Sequence, residues 1–136
     1  MLLCFAVYRC AVSPTGDRLY ITSYLNNKLL TLARDGTLLA TYSDPALDST
    51  LLATYTDPAL EGPCGLHVTP AGQVLVCGWG SHTVLQVGWE GQSKLATLAT
   101  KRHGVWGPSS VCYSSTTSSI IVGQWRNDKI LVFRVE

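Results

Sequence analysis

Tyr20-Ile21-Thr22-Ser23-Tyr24-Leu25-Asn26-Asn27-Lys28-Leu29 is written twice more along this chain of 136 residues. It returns as Leu75-Val76-Cys77-Gly78-Trp79-Gly80-Ser81-His82-Thr83-Val84, and again as Ile121-Val122-Gly123-Gln124-Trp125-Arg126-Asn127-Asp128-Lys129-Ile130. Each copy is a β-rich run, an aromatic, a polar turn and a second β-rich run. Trp79 and Trp125 lie 46 residues apart, whereas Tyr24 and Trp79 lie 55 apart. The excess has a visible source. Leu38-Leu39-Ala40-Thr41-Tyr42-Ser43-Asp44-Pro45-Ala46-Leu47 is followed, at an offset of 13, by Leu51-Leu52-Ala53-Thr54-Tyr55-Thr56-Asp57-Pro58-Ala59-Leu60. Without that duplication the first spacing is 42.

Repeats of about 40–50 residues built from short strands are the mark of propeller blades. In the first repeat, strands are expected at 10–13, 19–23, 29–33 and 37–42. Turns fall at Pro14-Thr15-Gly16-Asp17, Asn26-Asn27 and Arg34-Asp35-Gly36, where proline, glycine and asparagine supply the dihedrals that turns need. The second repeat predicts strands at 65–68, 74–77, 84–88 and 94–98. The third predicts 110–113, 120–123 and 130–135, and lacks a fourth strand. The fold class is therefore all-β: a partial β-propeller of about three four-stranded antiparallel blades. A sandwich would use similar strands, but regular period and in-register turns favour blades. The expected organisation is one domain: 1–9 as an outer strand of a neighbouring blade, 10–62 as blade one with the duplicated insert, 63–100 as blade two, and 101–136 as an incomplete blade three.

Composition narrows the field. Hydrophobic residues make up 46% and charged residues 14%, against roughly 25% charged in a typical domain. The deficit points to an interface, because three blades do not close a ring. A net charge of +1 supplies no whole-chain field to attract nucleic acid or membrane. No apolar run approaches the length of a transmembrane helix. Met1-Leu2-Leu3-Cys4-Phe5-Ala6-Val7 lacks a basic flank and reads as a strand rather than a signal peptide. The cysteines, Cys4, Cys10, Cys64, Cys77 and Cys112, include no CxxC pair. They read as small core residues in a reducing, cytoplasmic compartment.

The repeat resembles the NHL repeat, the unit of a family of six-bladed propellers. Pro63-Cys64-Gly65-Leu66, and less closely Gly107-Pro108-Ser109-Ser110-Val111, resemble the family's approach to the inner strand. Asn27-Lys28-Leu29 and Asn127-Asp128-Lys129-Ile130 resemble its turn. The chain departs from the pattern where Ser23, Gly78 and Gln124 replace an acidic residue, and where an aromatic follows in every copy. The resemblance implies a six-bladed ring of the NHL/TolB-like type that binds through the face carrying the turn after each second strand.

On that face the candidate binding residues are Tyr24, Asn27, Lys28, Trp79, His82, Lys101, Arg102, Trp106, Trp125, Arg126 and Lys129. Arg9, Asn26, His103 and Asn127 lie with them, while Asp17, Arg18, Arg34, Asp35 and Glu90 gather on the other. Aromatics among basic residues suit single-stranded RNA, whose bases stack while cations meet phosphates. The rings at 24, 79 and 125 also have a packing reading, between neighbouring blades. His67 is the inner-strand histidine, read as a packed residue rather than a metal ligand. No catalytic triad, phosphate loop or carboxylate pair stands out. The expectation is a non-enzymatic module, without cofactor or metal, that recognises protein or RNA. A propeller hydrolase or lyase of the lactonase or amidating type is the alternative. The ring would be completed by a second copy or by further blades of a longer parent chain, the latter being favoured.

Overall fold

The computed structural model describes residues 7–33 and 51–135. Three antiparallel sheets follow one another along the chain. The first contains β1 (Val7–Val12), β2 (Arg18–Ser23), β3 (Lys28–Ala33) and β4 (Leu51–Tyr55). The second contains β5 (Pro63–Val68), β6 (Val74–Gly78), β7 (Thr83–Val87) and β8 (Lys94–Ala99). The third has β9 (Pro108–Ser114), β10 (Ser119–Gln124) and β11 (Ile130–Arg134). Each sheet is an up-and-down meander in chain order, so each repeat is one blade.

Strand boundaries follow local chemistry. Asn27 and His82 adopt positive φ, 55° in both, in the equivalent turns between the second and third strands. The third blade spends one more residue on this turn, and the positive φ moves to Arg126. A short 3-10 helix, Lys101–His103, leads into blade three, capped by Thr100 and closed by Gly104 at φ 90°.

The strand expected at 37–42 lies outside the described residues, as do Arg34 and Asp35. The second copy of the duplicated segment supplies β4, with Tyr55 opposite Leu29 and Ala53 opposite Thr31. β1 begins at Val7, opposite Ser23, three residues earlier than the sequence reading placed it.

Two apolar clusters fill the two seams between blades. Tyr20, Leu29, Tyr55 and Leu60 of blade one meet Val74, Val76, Leu85 and Val87 of blade two. Across the second seam, Leu75, Cys77, Val84 and Ala99 meet Val111, Ile120 and Val122 of blade three. The inner strands β5 and β9 approach closely. A Cβ on Gly65 would lie 2.7 Å from the Ser109 carbonyl oxygen, so only glycine fits there.

Cys4 lies outside the described residues, and the other four cysteines divide. Cys64 and Cys77 are buried, as expected of core thiols, and burial pushes both above the ordinary thiol value. Cys10 and Cys112 are exposed, which corrects the core reading for this pair. They sit on β1 and β9, the inner strands of the two terminal sheets.

Candidate aromatic and basic binding face

The turns after the second strands and the approaches to the next blade share one face, and hydrogen bonds tie them together. The Gly62 N–H donates to Asn27 Oδ1 at 2.8 Å, joining blade one to blade two. The Gly107 N–H donates to His82 Nδ1 at 2.9 Å, joining blade two to blade three. Each glycine's carbonyl then accepts from the aromatic of its own blade: Trp79 N–H to Gly62 O at 3.0 Å, and Trp125 N–H to Gly107 O at 2.9 Å. Both glycines have φ of 60° and both precede a proline.

The aromatics pack on these glycines. A Cβ on Gly62 would lie 3.0 Å from Tyr24 Cε1, and one on Gly107 would lie 3.2 Å from Trp79 Nε1. Tyr24 and Trp79 therefore rest on the following blade and are half-buried. Trp125 occupies the same position in blade three and is 53% exposed. The rings form a row, with centroids 6.2 Å apart for Tyr24 and Trp79, and 5.6 Å for Trp79 and Trp125. Together with Cys64 and Ser109 they wall a pocket of about 260 Å³ beside the inner strands.

Trp106 belongs to no repeat. It is 57% exposed, and its backbone N–H donates to Gln124 Oε1 at 2.7 Å. The His82 ring stacks on it with centroids 4.3 Å apart. The Lys101 ammonium stands 4.7 Å from the indole centroid, and the Arg126 guanidinium 4.5 Å from that of Trp125. Two exposed indoles thus each hold a cation over the ring. Arg102 is exposed beside Lys101 on the 3-10 helix, and Lys28 and Lys129 are exposed at the strand ends of their turns. Asn27 and His82 lie on the same face, but their acceptor atoms are committed to the seams.

Sequence reasoning missed Gly62 and Gln124, the two groups that place Trp79 and Trp106. The Gly62-Pro63 and Gly107-Pro108 dipeptides, 45 residues apart, carry the signal for the first. It also missed Trp89 on the opposite face. There Arg18 lies 4.4 Å from its ring centroid, and Tyr20 Oη donates to the Trp89 carbonyl at 2.6 Å. His67 is half-buried on β5, and burial alone lowers its pKa. Among the described residues no three His, Cys, Asp or Glu side chains cluster as metal ligands. None of their helices is long and apolar enough to cross a membrane, which does not bear on membrane β-barrels.

No protein-family model matches the chain, and no curated protein sequence matches it. Solved structures do. The chain is similar to Kuenenia stuttgartiensis hydrazine synthase, with a TM-score of 0.70 at 16% identity over 93% of this chain and 32% of that one. It is similar to the β-propeller domain of Myceliophteria thermophila Swd1, with a TM-score of 0.69 at 11% identity over 96% and 38%. A catalytically inactive virginiamycin B lyase from Staphylococcus aureus, solved with quinupristin, gives 0.57 at 14% identity over 95% and 41%. At these identities the likeness establishes the fold: the described blades are those of a β-propeller. The chain spans 32–41% of the length of these neighbours.

Proposed function

We propose that this chain is a non-enzymatic, NHL-like recognition module that binds single-stranded RNA through the face carrying Trp106 and Trp125. One observation carries the reading: two exposed indoles on that face, each with a cation over its ring, at 4.7 Å and 4.5 Å. A base stacks on an indole whatever its identity, and displaces the cation toward the adjoining phosphate. The Tyr24–Trp79–Trp125 row continues the stacking surface, and Lys28, Arg102 and Lys129 supply further charge at its rim.

The test is fluorescence anisotropy of labelled single-stranded RNA across a salt series. Affinity should fall with rising salt, as phosphate contacts dictate. Trp106→Ala should weaken binding by about 1–3 kcal/mol, or roughly 5- to 150-fold. Binding that ignores salt and survives Trp106→Ala would refute the proposal.

A protein partner is the second reading, and the edge strand β11 favours it. Ile130 and Val132 are 67% and 63% exposed on a strand that ends its sheet, and such edges invite pairing. That partner is a second copy of this chain or further blades of a longer protein. Val132→Lys would abolish self-association in light scattering if the edge is the contact. It would leave RNA binding unchanged.

A further inference from the structure

The geometry points to a proton-operated latch at the seam between blades two and three: neutral His82 accepts the Gly107 N–H and supports the Trp106 ring, and protonated His82 gives up both contacts.

The argument begins with the donor. The Gly107 N–H only donates, so the Nδ1 it reaches at 2.9 Å carries a lone pair and the ring proton sits on Nε2. A second proton has to go to Nδ1, the atom the seam occupies. Protonation therefore exchanges an acceptor for a donor facing an N–H, and the link is lost. The same ring is also stacked on Trp106 at 4.3 Å and 17°. Whatever moves His82 moves the support beneath the exposed indole.

The surroundings oppose the charged form. Burial and the Lys101 ammonium, in that order, hold His82 below the ordinary histidine value. His82's own turn adds only the uncharged Ser81 and Thr83. The 3-10 helix carries Arg102 and His103 beside Lys101. Glu61 lies against Gly80 from the approach to blade two, and Arg126 and Asp128 belong to the turn of blade three. The neutral ring is thus the form that fits the closed seam, and acid drives it out.

The molecule contains its own control. Asn27 holds the equivalent position in the first seam, with the same φ and the same bond to the following glycine, at 2.8 Å. An amide oxygen does not titrate in this range. Only the second seam responds to protons. His103 is the other titratable acceptor on this loop, taking the Thr100 N–H at 3.0 Å on Nδ1, so the test separates the two.

That test is amide NMR of the full chain without ligand, from pH 7.5 to 5. The Gly107 amide should shift, and its exchange relative to Gly62 should rise, with a midpoint below the ordinary value of about 6.5. The Trp106 indole N–H should move with it, while Gly62 stays still. His82→Asn should keep the link and abolish the response; Lys101→Gln should move the midpoint up; His103→Gln should leave the response intact. A Gly107 amide that stays fixed while His82 titrates overturns the latch, as does a response that survives His82→Asn or disappears with His103→Gln. Should His82→Asn fail to fold, the wild-type and His103→Gln titrations decide alone. Any change in RNA affinity between pH 7.5 and 5.5 rests on the proposed function as well. Because the amides report without ligand, failure of the latch and failure of RNA binding are read separately.

Discussion

Gly62 and Gly107 set the geometry of the face. At φ 60° each turns its N–H to the preceding blade and its carbonyl to its own aromatic. An added Cβ at Gly62 meets Tyr24 Cε1 at 3.0 Å and the Gly80 backbone nitrogen at 3.2 Å. Neither yields without opening the seam. Gly62→Ala should therefore cost about 1–3 kcal/mol, the range for a residue held in a disfavoured conformation. Gly104, at φ 90° with nothing within 4 Å of its Cβ, isolates the conformational part, at about 1–2 kcal/mol for Gly104→Ala. Denaturant midpoints of the two variants check this, and equal losses would show that the seam contact contributes nothing. Glycine before proline announces such a turn in sequence. Which atoms it joins does not follow, because Asn27 and Gly62 are 35 residues apart.

At the scale of elements, the duplication gives a sharp test. The second copy forms β4, and the first lies outside the described residues. Deleting residues 38–50 leaves β4 intact and joins Ala33 to Leu51 through Arg34-Asp35-Gly36-Thr37. Four residues with an Asp-Gly pair suit a hairpin. The shortened chain should keep its circular dichroism and gain about 1 kcal/mol from the smaller loop-closure entropy. Loss of the fold would show that the first copy is structural. Sequence alone does not say which copy pairs, because residues 38–42 and 51–55 read the same, Leu-Leu-Ala-Thr-Tyr. The choice is made by pairing with β3. Other strands were legible to within a few residues, since alternation and turn residues are local signals.

For the whole molecule, acid stability follows from the titrating groups. His67 and His82 are both held below their ordinary value, chiefly by burial. The unfolded chain therefore takes up protons first as pH falls. Stability is fully present above about pH 6.5 and declines as pH drops through the lowered values. Asp17, which accepts from Thr15 and Ser13, and Asp57, which accepts from Tyr55 and Ala59, are lowered as well. Their contributions hold above about pH 3.8 and disappear below it. Asp17 is exposed and Asp57 only partly buried, so this second stage is small. Urea unfolding between pH 8 and pH 3 should show a plateau and then two declines, the first flattened in a His67→Gln, His82→Asn double variant. Stability that rises from pH 7 to pH 5 would contradict the assignment.

The all-β class, the three repeats, the turns and the face on which aromatic and basic residues gather were legible in the order of the amino acids. All of these rest on local propensity and period. Tertiary structure decided which of those residues are committed and which are open. Asn27 and His82 read alike with their neighbours, but their acceptors close the seams. Cys10 and Cys112 read as core and are exposed, because no described blade packs over them. Trp79 and Trp125 are the same residue in the same repeat position. The first rests on the glycine of the blade that follows; the second has no such glycine among the described residues, and its ring stands open.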